Sequence, residues 1–177
     1  MRKIKLSNAY KLINHGPLAV VSSAFNGKET WTPIAWNMPV DHTPPLFALT
    51  ISKENFINIL IKNSKIFSMN ILSINYVEEI KKMGSLSGRE TDKLKLTGLT
   101  AKKCEKINCR YINASEGVIE CILKKKISVG NVDIFIGEAV YCRASLSFSD
   151  SCWIPQKVKT IHHLGSKVFV TVTPEYQ

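Results

Sequence analysis

The chain has 177 residues and a formal charge of +10, with 24 lysines and arginines against 14 acidic residues; 45% of its residues are hydrophobic and 21% charged. That size and balance describe one soluble globular domain spanning residues 1–177, and no apolar run approaches the ~18 residues of a membrane-crossing helix. Five cysteines (Cys104, Cys109, Cys121, Cys142 and Cys152) form an odd set without a CxxC pair, which argues against a disulfide framework or a thioredoxin-like site and leaves packed, reduced thiols.

The N-terminal stretch Met1 to Leu12 is basic, but polar residues interrupt its apolar ones, so it lacks a signal-peptide core and a cytoplasmic protein is expected. Pro17 to Phe25 is a short valine-centred strand, and Asn26-Gly27 after it is the strongest two-residue hairpin signal, since a type I′ turn needs positive φ at both central positions. The returning strand is expected over Thr30 to Trp36. Pro39, Pro44 and Pro45 then punctuate the path, and missing N–H donors bar this piece from the middle of a sheet. Leu46 to Ile51 resumes as a buried strand within an expected span of Pro45 to Ser52. Ser52 stands in the position of a helix N-cap, with Phe56, Ile59, Leu60 and Asn63 at helical spacing behind it.

Phe67 to Leu72 reads as a strand, and Ser73 as the cap of a helix in which Tyr76, Ile80 and Met83 share a face. A polar loop, Gly84 to Arg89, leads to a short helix around Thr91 to Leu94 with Asp92 in its first turn. Gly117–Leu123, Ile127–Ile136 and Glu138–Leu146 are strand-like, with a turn at Gly130-Asn131, and Lys167 to Val172 is a last strand. Many strands and few short helices predict a β-barrel with helices appended.

The chain has neither a GxGxxG after a strand nor a GxxxxGK[ST], which excludes a Rossmann fingerprint and a P-loop. Gly84-Ser85-Leu86-Ser87-Gly88 carries leucine where a nucleophile elbow needs serine, and it follows a helix. His15, His42, His162 and His163 have no metal-ligand spacing with nearby carboxylates. Phosphate-compatible groups remain on two loops. Ser52-Lys53 opens a helix, where free N–H groups favour an anion, and Ser87, Arg89, Thr91 and Lys93 cluster at another helix start. Read alone, Ser52 is also simply a cap and the second loop a polar surface turn. Trp36 is flanked by Ala35 and Asn37, whose small size and paired donor and acceptor suit the approach of a planar heteroaromatic ring. Lysine clusters at Lys81-Lys82, Lys102-Lys103 and Lys124 to Lys126 are scattered, unlike the single basic face of a nucleic-acid binder. They form either a solvated surface or a field that draws phosphate-bearing ligands.

An ordered set of segments resembles the flavin reductase-like proteins of the FMN-binding split-barrel fold, especially their flavoredoxin branch. It comprises Thr32-Pro33-Ile34-Ala35-Trp36-Asn37, Pro44 to Ala48, Lys53 to Ile59, Phe67-Ser68-Met69-Asn70, Ser87 to Leu94 and Phe135 to Val140. The resemblance implies a mainly β, six-stranded antiparallel Greek-key split barrel with a few appended helices, and a homodimer holding FMN near its interface. It assigns Thr32, Pro33, Ile34, Ala35, Trp36 and Asn37 to the isoalloxazine ring. Thr50, Ser52, Lys53 and Asn55, with Ser87, Arg89, Asp92 and Lys93, are assigned to the ribityl phosphate. The chain departs from the family where Glu54-Asn55 replaces a frequent Asp-Thr, and where Val132-Asp133 stands in place of a common histidine. With no protein nucleophile or metal site implied, the expected reaction is hydride transfer from NADH or NADPH to the flavin. Electron transfer with a redox partner protein is the alternative, and an anion- or nucleic-acid-binding barrel without flavin is the third reading.

Overall fold

A computed structural model describes residues 16–149 and 152–173, so the basic N-terminal stretch lies outside the described residues. The strands are β1 (Ala19–Phe25), β2 (Lys28–Ile34), β3 (Asn37–His42), β4 (Pro45–Ser52), β5 (Ile66–Ile71), β6 (Ala101–Lys103), β7 (Arg110–Ile112), β8 (Gly117–Val129), β9 (Val132–Ala144), β10 (Phe148–Ser149), β11 (Cys152–Trp153), β12 (Ile161–Gly165) and β13 (Val168–Thr171). The helices are α1 (Phe56–Ser64), α2 (Val77–Ser85) and α3 (Lys93–Thr97).

Seven strands form one antiparallel sheet in the order β2-β1-β5-β8-β9-β4-β3. Its edge strands, β2 and β3, are consecutive in the chain with only Ala35 and Trp36 between them. Laid flat, seven strands would separate the two edges by roughly 29 Å, whereas the steps from Ile34 to Asn37 reach at most ~11 Å. The sheet therefore has to roll up. At the seam, the Thr50 N–H donates to the Trp36 carbonyl at 2.9 Å, so the end of β2 is delivered beside β4. This is the expected barrel class with one strand more than the six anticipated. Among the described residues, no helix is long and apolar enough to cross a membrane.

The barrel interior follows from alternation. Ala19 and Val21 face inward with Ile34, Leu49, Ile51, Phe67, Met69, Cys121 and Phe135, and α1 closes this core with Ile57 and Ile61. The intervening residues Leu18, Val20 and Trp31 face a second apolar layer made by Ile80 and Met83 of α2, Leu94 of α3, Ile112 and Ile161. Gly137 of β9 shows why the Phe135-Ile136-Gly137-Glu138 run needs its glycine: an added Cβ would collide with the Phe67 ring.

Several boundaries differ from the sequence reading. The strand expected over Thr30 to Trp36 stops at Ile34 and bends at Trp36. The proline-rich piece pairs with β4 alone as an edge strand, with a bulge between Pro39 and Asp41 and a cis Thr43–Pro44 bond in the turn. Edge placement leaves the missing proline donors without cost. The α1 N-cap is Asn55, not Ser52, and its buried face is Ile57, Asn58, Leu60 and Ile61, with Ile59 outside. The buried face is set by Ile57 and Ile61 entering the barrel core. Asp92 caps α3 instead of lying in its first turn, accepting from the Leu94 and Lys95 N–H groups at 3.1 Å. The three strands expected between Gly117 and Leu146 are two 13-residue strands joined at Gly130-Asn131, with bulges between Glu120 and Cys121 and between Leu123 and Lys125. Asn26 and Gly27 have φ of 48° and 73°, as the type I′ signal predicts.

Candidate functional site: a cationic seam at the barrel mouth

The seam gathers groups from four stretches. Strand β4 ends at Ser52, where the Ser52 Oγ accepts from the Glu54 N–H at 3.3 Å. Helix α1 then starts at Asn55 without a side-chain cap or an acidic residue in its first turn, leaving its positive end uncompensated from within. Arg89, from the Ser87 to Lys93 loop, reaches this point: its Nη1 donates to the Glu54 carbonyl at 2.9 Å, and its guanidinium lies 5.7 Å from the Phe56 ring centroid. The structure thus joins the two anion-compatible loops that the sequence shows 30-odd residues apart.

The second loop is ordered by its own backbone. The Ser87 Oγ accepts from Arg89 N–H at 3.3 Å and the Ser87 carbonyl from Thr91 N–H at 3.2 Å. The loop is also pressed onto β2: a Cβ at Gly88 would collide with Thr30 Oγ1 and lie 2.7 Å from Thr30 Cβ. Gly88→Ala should therefore lift this loop and its two cations off the barrel. Hydrogen exchange across Ser87–Lys93 should quicken, with a change in unfolding free energy below about 2 kcal/mol; unchanged exchange would show that the Gly88–Thr30 contact does not hold the loop.

Lys93 begins α3, which packs against β2. The residue is only 4% exposed, and among the described residues neither a carboxylate nor a hydrogen-bond acceptor meets its ammonium; burial alone lowers its pKa from 10.5 to about 8. The stem is packed while the ammonium tip keeps contact with solvent, so an arriving phosphate can pair with it. On β2, Thr30 Oγ1 and Trp31 Nε1 are buried without a hydrogen-bond partner among the described residues. Buried, unsatisfied groups of this kind are rare in finished cores; as successive residues of β2 these two point to opposite faces of the strand.

The remaining predicted residues divide. Thr32, Pro33 and Ile34 are paired with Val21, Val20 and Ala19 of β1, and Ile34 is committed to the core. Ala35 lies against the outer apolar layer, and Trp36 is 47% exposed at the bend. Asn37 spends both amide hydrogens on the chain, donating to the Pro17 and Ile34 carbonyls at 2.9 Å each, and so locks the bend. Thr50 holds the seam through its backbone. Lys53 turns to the β8–β9 hairpin, where its Nζ donates to the Gly130 carbonyl at 2.6 Å and its N–H to the Asn131 carbonyl at 3.0 Å. It is not gathered with Arg89.

Beyond the bend, Asn37 and Pro39 open onto a cleft of about 810 Å³ whose walls include Phe47, Met69, Trp153 and His162. Among these the sequence reading assigned Asn37 alone to the flavin site. The others come from strands far apart in the chain, and only the rolled sheet brings them together.

The description "Flavin reductase like domain" matches the chain over residues 13–162. The chain belongs to this family. It is 28% identical over 186 residues to the uncharacterized protein YddH of Escherichia coli K12, covering 95% of this chain and 93% of that one. Its fold is shared with an FMN-binding protein from Thermus thermophilus that carries p-hydroxybenzaldehyde, at a TM-score of 0.86 and 21% identity over 100% of this chain and 97% of the other. It is shared equally with the flavoredoxin of Desulfovibrio vulgaris (Miyazaki F), at 0.84 and 23% over 99% and 96%. Along the closure of the barrel a track can be drawn from the cationic seam through the Thr50–Trp36 contact to Asn37, where it meets the cleft; the cleft walls themselves include none of Ser52, Arg89 and Lys93.

Proposed function

We propose that the chain binds FMN along this track and acts as an NAD(P)H-dependent flavin oxidoreductase. The observation that carries the reading is the uncapped α1 terminus reached by Arg89, whose loop runs on into Lys93, a lysine packed against β2 with no carboxylate or acceptor on its ammonium among the described residues. Lys93 and Arg89 would hold the phosphate by charge-assisted hydrogen bonds. From that end the track passes the Thr50–Trp36 seam and continues to Asn37 and the 810 Å³ cleft. The ring end is assigned there, with the Ala35 to Asn37 backbone along the flavin and the cleft receiving the nicotinamide or another planar substrate. Bound FMN supplies the hydride and one-electron chemistry. The protein orients the ring, keeps the bend rigid through Asn37, and limits water in the apolar cleft. No protein acid, base or nucleophile is assigned.

The reading includes a second copy of the chain. Trp36, Met38 and Val40 project from the edge strand at 47%, 58% and 43% exposure, an apolar row that a homodimer contact would cover. The formal charge of +10 favours a second role as an electron-transfer protein served by an acidic redox partner. Lysine clusters give little support to nucleic-acid binding, since Lys124 pairs with Glu138 at 2.8 Å and Lys126 with Asp133 at 3.3 Å.

The deciding experiment is the absorption spectrum of the purified protein reconstituted with FMN, followed by anaerobic addition of NADH or NADPH. A retained flavin spectrum that bleaches with either nucleotide is the expected result. Bleaching only with a reduced partner protein would select the electron-transfer role, and failure to retain FMN would overturn the reading.

A further inference from the structure

A second cleft, of about 460 Å³, lies between the β1–β2 hairpin and the segment joining β6 to β7, on a part of the surface that the flavin reading does not use. Lys28, Lys103 and Arg110 stand around it, and two cysteines, Cys104 and Cys109, line its wall. These two are cross-strand neighbours. The β6–β7 register pairs Lys103 with Arg110, and one step further the Cys104 N–H donates to the Cys109 carbonyl at 3.0 Å. Opposed residues in an antiparallel ladder have Cα atoms about 4.5–5.5 Å apart, inside the ~4.4–6.8 Å window of a disulfide. Each thiol is the strongest influence on the titration of the other, which marks the two sulfurs as close neighbours.

We propose that Cys104 and Cys109 form a redox-active dithiol that a peroxide oxidises to an intramolecular disulfide. Cys109 is the attacking sulfur. Its thiol also lies 3.4 Å from the Ser22 Oγ; the adjacent Cys104 thiol draws its pKa below the usual thiol value against the opposing effect of burial. The Cys109 thiolate attacks one peroxide oxygen, the O–O bond breaks, and the departing hydroxide takes up a proton to leave as water, giving a sulfenic acid. The Cys104 sulfur then attacks the Cys109 sulfur; the S–O bond breaks, the S–S bond forms, and the hydroxyl leaves as a second water with the Cys104 proton. Two thiols and one hydrogen peroxide become one disulfide and two waters.

The segment is built to hold the pair in register. The Cys109 N–H donates to the Ile107 carbonyl at 2.8 Å, and both carboxylate oxygens of Glu120 accept from the Glu105 and Lys106 N–H groups at 2.8 and 2.7 Å. The other cysteines differ. Cys121 is buried in the barrel core, where burial and then the charge of Glu120 push its thiol up to about 12, and Cys142 and Cys152 are exposed.

The test uses the full, reduced chain treated with hydrogen peroxide, blocked with N-ethylmaleimide and digested with trypsin. The expected product joins the peptide 104–106 to the peptide 107–110, two hydrogens lighter than the separate peptides and released by dithiothreitol. Both cysteines should lose their maleimide label together and ahead of the more exposed Cys142 and Cys152, because the neighbouring thiol converts a first oxidation into a disulfide. In Cys104→Ser, a dimedone probe should trap the sulfenic acid on Cys109. Unchanged labelling of the pair at peroxide levels that oxidise Cys142 and Cys152 would overturn the proposal, as would oxidation of either cysteine alone while its neighbour stays labelled.

Discussion

Lys93→Met is expected to raise the unfolding free energy of the ligand-free protein by about 1–2 kcal/mol at neutral pH, the burial shift discounted for solvent reaching the ammonium, while lowering its affinity for the proposed FMN ligand about 100-fold. The gain arises because burial lowers the folded-state pKa from 10.5 to about 8, so at pH 7 folding confines a charge that no partner among the described residues offsets. Methionine keeps the volume and removes the charge. The sign of the pH dependence follows from proton counts. Between about pH 8 and 10.5 the unfolded chain retains a proton that the folded chain has released, so stability of the parent protein rises with pH across that window. Below pH 8 both states are protonated and the full penalty stands. In Lys93→Met this slope should vanish, which urea titrations at pH 7 and pH 10 would show. FMN affinity of the parent protein should fall as pH rises through 8, as the cation is lost, and the variant's weaker binding should lack that step. A variant no more stable than its parent would mean that the ammonium is compensated, and unchanged FMN affinity would remove Lys93 from the site.

That trade-off explains which parts of this protein a linear reading captures. Turn chemistry is local, so Asn26-Gly27 and Gly130-Asn131 were legible. Barrel membership followed from strand number and from the ordered resemblance, and Phe135 and Gly137 occupy core positions that explain one of its segments. Start points of helices were less legible. Ser52 and Asn55 both have capping chemistry, and the hydrogen bonds of the β4 end decide between them. The site was legible as two separate loops. Their union through Arg89 and the Glu54 carbonyl, and the turning away of Lys53 toward Gly130, depend on how far the sheet rolls. The large cleft carried no sequence signal, since Phe47, Met69 and Trp153 are ordinary apolar residues until the barrel assembles them. Burial of Lys93 was equally hidden: a lysine at a helix start usually reads as solvated, and packing of α3 on β2 reverses that.

Glu120→Ala should cost ~3–5 kcal/mol of stability, the range for removing one partner of a buried charge network. Glu120 sits within the apolar run Gly117-Val118-Ile119-Glu120-Cys121, yet its side chain has no exposure. Its carboxylate caps the Glu105 and Lys106 N–H groups and lies 3.8 Å from the Arg143 guanidinium. Arg143 is stacked 4.7 Å from the Tyr111 ring centroid and 5.0 Å from that of Tyr141, and its Nε and Nη2 have no hydrogen-bond acceptor among the described residues. Truncation would therefore strand two amides and remove a counter-charge together. Glu120→Gln keeps the shape but offers one oxygen for two donors, so an intermediate loss of about 1–3 kcal/mol is expected. In a double-mutant cycle with Arg143→Met, the combined loss should fall short of the sum by at least about 1 kcal/mol; strict additivity would show that the carboxylate acts on the amides alone. Hydrogen exchange at Glu105 and Lys106 should quicken in Glu120→Ala even under native conditions, because the same carboxylate ties the segment between β6 and β7 to β8. Peroxide treatment of that variant should then yield less of the 104–109 disulfide and more singly modified Cys109, since the register that sets the two sulfurs side by side depends on the buried acid beneath them.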